Sequence, residues 1–165
     1  NMAQNQPSSA IAVIPSDTIN IPVPGIITSG TNTGGATTLT DAGQDFTNAT
    51  TNANGYNISG GDVVISAAGV ISEIASVDSA TQLTLLTAIA AGTYDIYKGN
   101  YQILGESEGF TLFVGTGGPA TVLRIQTLTG QDVTLLNVPD SSFIPIQVQR
   151  VWAATTTCSN IIALQ

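Results

Sequence analysis

The sequence predicts an all-β protein: a β-sandwich or small β-barrel core that carries an inserted small β module. Three observations predict it. No window of about a dozen residues keeps apolar positions at i, i+3, i+4 and i+7, so helical amphipathicity is missing. Alternation with period two recurs instead. Gly, Asn, Asp or Pro separates most of the alternating runs, as short hairpin connections require.

Taken in order, residues 1–9 read NMAQNQPSS and are expected as a flexible N-terminal arm. Ala10–Ile14 is the first strand of the core, and Pro22-Val23-Pro24-Gly25 then ends any ladder, because fixed φ values and missing N–H donors interrupt pairing. The core is assigned to residues 10–27 and 100–165, and the inserted module to 28–99. Within the module, Thr31–Asn57 is polar and nearly uncharged, which suits an exposed loop or a segment ordered only by a neighbouring subunit. Strands follow at Asp62–Ser66, Val70–Ala75, Gln82–Leu86 and Thr93–Tyr97. Val77–Thr81 is read as a turn, with Asp78 bonding its own backbone two residues on. After Lys98-Gly99-Asn100 the core resumes with strands Thr111–Val114, Thr121–Thr127, Asp132–Leu136, Pro145–Trp152 and Asn160–Leu164.

Charge narrows the classes of partner. Lys98, Arg124 and Arg150 are the only cations against 11 carboxylates, giving a formal charge of −8, a field that repels phosphate backbones and anionic lipid. Neither nucleic acid nor membrane is expected as a partner. No apolar run approaches the eighteen or so residues that span a bilayer, and NMAQNQPSSA shows no basic stretch followed by an apolar one. Thr, Asn, Ser, Gln and Gly solvate the surface instead of charge, as in extracellular β-proteins and virion proteins, and this suits a chain docked among many like-charged copies. Cys158 is the single cysteine, so no disulfide within the chain is possible and a small buried thiol is expected.

Chemistry is hard to place in this chain. With 0 histidines, the usual general base, the Ser-His-Asp triad and the commonest zinc ligand are all missing. Carboxylate pairs such as Glu106 with Glu108, or Asp41 with Asp45, lie in turn-like polar sequence without the apolar pocket that raises an acid's pKa. Asp41, Asp45 and Asp62 offer the oxygens calcium prefers, but not at EF-hand spacing. Gly115-Thr116-Gly117-Gly118-Pro119-Ala120 is followed by a strand, so it reads as a tight turn, not a dinucleotide loop. No catalytic residue, cofactor or metal is expected.

Pro145–Trp152 is the most informative single run. Ile144, Ile146 and Val148 share one face and Gln147 and Gln149 the other, so strict alternation places Arg150 on the apolar side. A buried unpaired guanidinium is costly. Either a bulge shifts the phase after Gln149, or Arg150 finds a carboxylate or the Trp152 ring, within the subunit or across an interface.

Three pieces together carry a family likeness: Ala12-Val13-Ile14-Pro15-Ser16-Asp17-Thr18, then Phe113-Val114-Gly115-Thr116-Gly117-Gly118, and an ending that runs through Val138-Pro139, Phe143-Ile144-Pro145, Arg150-Val151-Trp152 and Ile161-Ile162-Ala163-Leu164. The pattern resembles the spike-base proteins of phage-like gene transfer agents and related small phage head-surface proteins, with the 28–99 module set between two pieces that usually lie close together. The resemblance implies a non-enzymatic virion protein on the capsid exterior, a decoration (cement) or head-spike base protein. It would bind the major capsid protein as a symmetric homo-oligomer, a trimer or pentamer, and could anchor a spike fibre protein. The residues expected at the interface are Phe110, Phe113, Phe143, Ile146, Val148, Arg150 and Trp152. Two other readings stand beside it. A carbohydrate-binding or adhesin module would need Tyr56, Tyr94, Tyr97, Tyr101 and Trp152 as exposed platforms, and a tail or baseplate subunit would need ring assembly.

Overall fold

The computed structural model describes residues 6–48, 57–100 and 109–165. Every described element is a strand, and the chain divides into two units, Asn1–Ile21 with Tyr101–Gln165, and Pro22–Asn100. The first holds β1 (Ala10–Ala12), β8 (Phe110–Thr116), β9 (Val122–Thr127), β10 (Asp132–Leu136), β11 (Ser142–Val151) and β12 (Ser159–Leu164). The second holds β2 (Ile26–Asn32), β3 (Thr38–Thr40), β4 (Val63–Ser66), β5 (Ile71–Ser79), β6 (Gln82–Leu85) and β7 (Gly92–Tyr97).

Each unit forms one six-stranded antiparallel sheet, in the orders β1-β12-β8-β11-β9-β10 and β2-β7-β4-β5-β6-β3. The end strands of neither sheet meet, so the small-barrel alternative is set aside. In the second unit β5 pairs with β4 through Ile71–Glu73 and with β6 from Ile74 onward, passing from one ladder to the other. Leu39, Leu83 and Leu85 from one ladder and Ile27, Val64, Tyr94 and Ile96 from the other then join one buried cluster. That arrangement is a sandwich within the unit.

In the first unit Phe110, Leu112 and Val114 of β8, Leu123 and Ile125 of β9, Val148 and Val151 of β11, and Ile161 and Ala163 of β12 are buried. Except from Val148 to Val151, where the register of β11 shifts, their period-two spacing is the alternation that the sequence displays. Ser8 and Ser9 donate backbone N–H groups to Gln165 O at 2.6 and 2.9 Å, so these two residues, expected in a flexible arm, extend the β1–β12 pairing.

Three expectations are corrected. Residues 22–27, assigned to the core, belong with the second unit, because β2 begins at Ile26 and pairs with β7. Thr31–Asn57, expected as an exposed loop, contributes β3 and the buried Asn32, Leu39, Asp41 and Phe46; its residues 49–56 lie outside the described residues. The polar run folds because its polar groups find partners both within the run and far along the chain: Asn32 Oδ1 accepts the Gly34 and Thr40 N–H groups and Asp41 Oδ2 that of Thr31, while the Asp41 and Phe46 N–H groups donate to Thr81 O and Ala80 O. Asp78 lies within β5 rather than in a turn, and its carboxylate accepts the hydroxyls of Ser76 and Thr84 instead of its own backbone.

Asp41 also accepts the Tyr94 hydroxyl at 2.9 Å in the buried interior of the second unit. Burial first, and the neighbouring Asp41 second, push the Tyr94 phenol well above its ordinary value. A group whose folded pKa is raised contributes stability that is complete below its unfolded pKa and is lost as pH rises. We therefore expect the unfolding free energy to fall above about pH 10, by about 1.4 kcal/mol per pH unit for this one proton. Tyr97 is raised too, by burial and by Asp95, so Tyr94→Phe should remove one proton's share of the slope and leave the rest. Urea unfolding at a series of alkaline pH values measures it.

Candidate interaction surface

The first unit's sheet has an inner face that is buried and an outer face that is only partly covered. Cross-strand register brings Phe143 of β11 opposite Phe113 of β8, Phe113 opposite Ile162 of β12, and Ile162 opposite Ala12 of β1. The result is an apolar row across four strands. The two phenyl rings are tilted at 57° with centroids 5.1 Å apart, an attractive edge-to-face geometry. Phe143 is 62% exposed and Ile162 37%. Large apolar side chains aligned on one sheet face mark a contact surface more often than isolated ones do.

Further along the same face stands a polar cluster. Arg124 on β9 makes a two-toothed contact with Asp132 on β10, through Nε to both carboxylate oxygens and through Nη2. The pair holds the Arg124 guanidinium above, and the Asp132 carboxyl below, their ordinary values. Arg124 also lies over the Trp152 ring at 4.7 Å, and Arg150 covers the ring at 5.1 Å. Trp152 Nε1 is buried without a hydrogen-bond partner, so guanidinium contacts rather than the indole's polar edge hold the ring.

Arg150 resolves both alternatives left open by its sequence. The register shifts between Val148 and Arg150, so a bulge moves Arg150 off the apolar face, opposite Gln126. There it donates to Asn20 Oδ1 at 2.9 Å and to Asp17 O at 3.4 Å, with the Trp152 ring beside it. Partial burial lowers the guanidinium's pKa and nearby Asp17 opposes that shift. Gln149, expected on the open face, is buried instead and bonds the Gln126 side chain. Because these contacts of Arg150 lie inside its own unit, Arg150→Gln should lower that unit's stability by about 1 kcal/mol and leave native mass unchanged. Denaturant unfolding followed by Trp152 fluorescence, with light scattering, checks both halves.

The expected interface set therefore separates. Phe113 and Phe143 share the outer apolar row, and Ile146 is half-buried on the same strand as Phe143. Phe110 and Val148 are corrected: both are 0% exposed on the inner face, where they serve the core of the unit and offer nothing to a partner. Arg150 and Trp152 belong to the cation–aromatic cluster. Ile162 and Leu136, the latter 67% exposed, were missed; their alternation was visible, but nothing in it says which face stays open.

The other candidates are engaged by the protein itself. Asp62 is bound by Lys98 and by the Gly99 and Ser59 N–H groups, Asp45 accepts Thr47, and Asp41 is held as described above. No group of three metal-ligating side chains occurs among the described residues. Glu106, Glu108, Tyr56 and Tyr101 lie outside the described residues. Of the remaining aromatic platforms, Tyr94 is buried and Trp152 is covered by two guanidinium groups, which weakens a sugar-stacking arrangement. An open depression of about 410 Å³ lies beside Gly118, Pro119, Asn137, Pro139 and Asp140, and Asp140 there accepts the Gly117 N–H. Compared with protein-family models, curated proteins and solved structures, the chain matches none.

Proposed function

We propose that this chain is a non-enzymatic structural protein of the phage-particle exterior. In this reading it is a decoration or head-spike base protein that binds the major capsid protein as a symmetric homo-oligomer. The observation that carries the reading is the Phe143–Phe113–Ile162 row, solvent-facing and apolar in a chain that otherwise solvates itself with hydroxyl and amide groups. Supporting it are the sequence likeness to phage head-surface proteins and the satisfaction of the candidate carboxylates by internal donors. The mechanism is multivalent attachment: several weak contacts with neighbouring shell subunits add up to a long-lived one.

The test adds purified protein to capsids that lack it and measures co-sedimentation. Phe143→Asp places a charge on a side chain that is already 62% exposed, so folding should survive while capsid binding falls by at least about tenfold. A protein that binds no capsid, or whose Phe143→Asp variant binds as well as the parent, would defeat the reading.

A further inference from the structure

Two six-stranded sheets have four edge strands, β1 and β10 in one and β2 and β3 in the other. Three of these edges are closed or short. β1 and β3 have 3 residues each. Beyond β3, Thr33 donates its N–H to Thr40 O, and Asn32 Oδ1 takes the Thr40 N–H. Along β2, Asp41 accepts the Thr31 N–H, while Gln44 donates to Ser29 O and accepts the Thr28 hydroxyl.

β10 is different. Its register with β9 is unbroken from Asp132 opposite Gln126 to Leu136 opposite Val122. The flanking bonds, Thr127 N–H to Gln131 O and Asn137 N–H to Thr121 O, set the phase of the ladder. In an antiparallel pair, hydrogen-bonded positions alternate. Val133 and Leu135 therefore bond to β9, and Asp132, Thr134 and Leu136 turn their N–H and C=O groups away from the sheet. Among the described residues no backbone partner meets those outward groups. Nor does the strand carry the lysine, proline or bulge with which edges are blunted. Its one charge, Asp132, is held by Arg124 of its own chain. Val133 and Leu135 are half-buried, whereas Leu123 and Ile125 opposite them are 0% exposed.

We propose that β10 is a self-pairing edge, to which a second copy of this chain adds its own β10, antiparallel, about a two-fold axis through Thr134. The pairing rests on the homo-oligomer of the reading above but makes its contact a two-fold one, giving an even number of copies in place of the trimer or pentamer that the family likeness implies, and it needs no capsid. The alternation of exposed and half-buried positions along β10 is the same read in either direction. Thr134 meets its counterpart, Asp132 meets the partner's Leu136, and Val133 lies beside the partner's Leu135, so the apolar layer continues across the junction. No like charges are opposed, which matters for two copies each carrying −8. A foreign strand has no reason to match this symmetry.

The test places Thr134→Cys in the full chain, without capsids, and adds a short bismaleimide. Residues paired in this way have Cα atoms about 5.5 Å apart, so most of the protein should run as a covalent dimer. Gln131→Cys, about 20 Å from its counterpart across the same axis, should give at least about tenfold less. Cys158 is buried, so the parent chain supplies the background. In parallel, Thr134→Pro removes an outward N–H without breaking the β9 ladder and should weaken association by about tenfold or more. Crosslinking at position 134 no greater than at 131, in an intact oligomer, overturns edge pairing while leaving another homo-oligomer contact open. A native mass of a single copy or of an odd number of copies also overturns it, as does an unchanged mass in Thr134→Pro. Capsid binding by the parent chain, measured separately, bears on the attachment reading alone.

Discussion

Asp62→Ala is expected to lower the unfolding free energy of the Pro22–Asn100 unit by about 3–5 kcal/mol. Asp62 precedes β4 and is fully buried. Its Oδ1 faces Lys98 Nζ at 3.2 Å and the Gly99 N–H at 3.1 Å, and its Oδ2 accepts the Ser59 N–H at 3.0 Å. One carboxylate thus ties the turn before β4 to the chain leaving β7. Alanine strands two backbone donors and an ammonium group in the space left behind. Lys98 is 35% exposed and rehydrates in part, so Lys98→Ala should cost clearly less than Asp62→Ala. Urea unfolding followed by circular dichroism compares the two, and a loss below about 1 kcal/mol for Asp62→Ala would contradict the assignment.

Gly30→Ala is expected to destabilise the same unit by about 3 kcal/mol, from overpacking together with lost hydrogen bonds. Gly30 sits on β2 opposite Tyr94 on β7, and a Cβ there would lie 2.0 Å from Asp41 Oδ2 and 2.6 Å from the Tyr94 hydroxyl. These are the atoms of the buried Asp41–Tyr94 bond, and Asp41 Oδ2 also takes the Thr31 N–H. The methyl group cannot be housed unless the carboxylate leaves, which orphans both donors. The comparison is Gly35→Ala, where an added Cβ meets nothing within 4 Å. Equal stability of the two variants would show that the Asp41 site yields without cost.

Several features of the surface were legible before the fold. The run from Phe110 to Val114 shows that alternate residues share a face, and the same holds for Pro145–Trp152. The choice of face was not legible. Phe110 and Phe113 look equivalent as letters, yet one is fully buried and the other borders the open row, because β8 lies between β11 and β12 with only one side covered. Arg150 shows the same limit. Its conflict with strict alternation and the nearby Trp152 ring were readable, but the bulge in the pairing with β9, and Asn20 from 130 positions away, were not.

The amino-acid sequence determined the strand-only architecture, because period-two alternation broken by turn residues is a local property that needs no partner to be expressed. It also determined a net-acidic chain with 0 histidines whose abundant Thr, Ser, Asn and Gln supply uncharged hydroxyl and amide groups. Only the tertiary structure decided that IITSGTN and TLT become strands, since Asn32 reaches Ala90 O, Asp41 reaches the Tyr94 hydroxyl and Leu39 joins the core of the second unit. It likewise decided which sheet face stays open and that β10 ends its sheet unpaired, because exposure depends on which segments pack together, and alternation along one strand is blind to its neighbours.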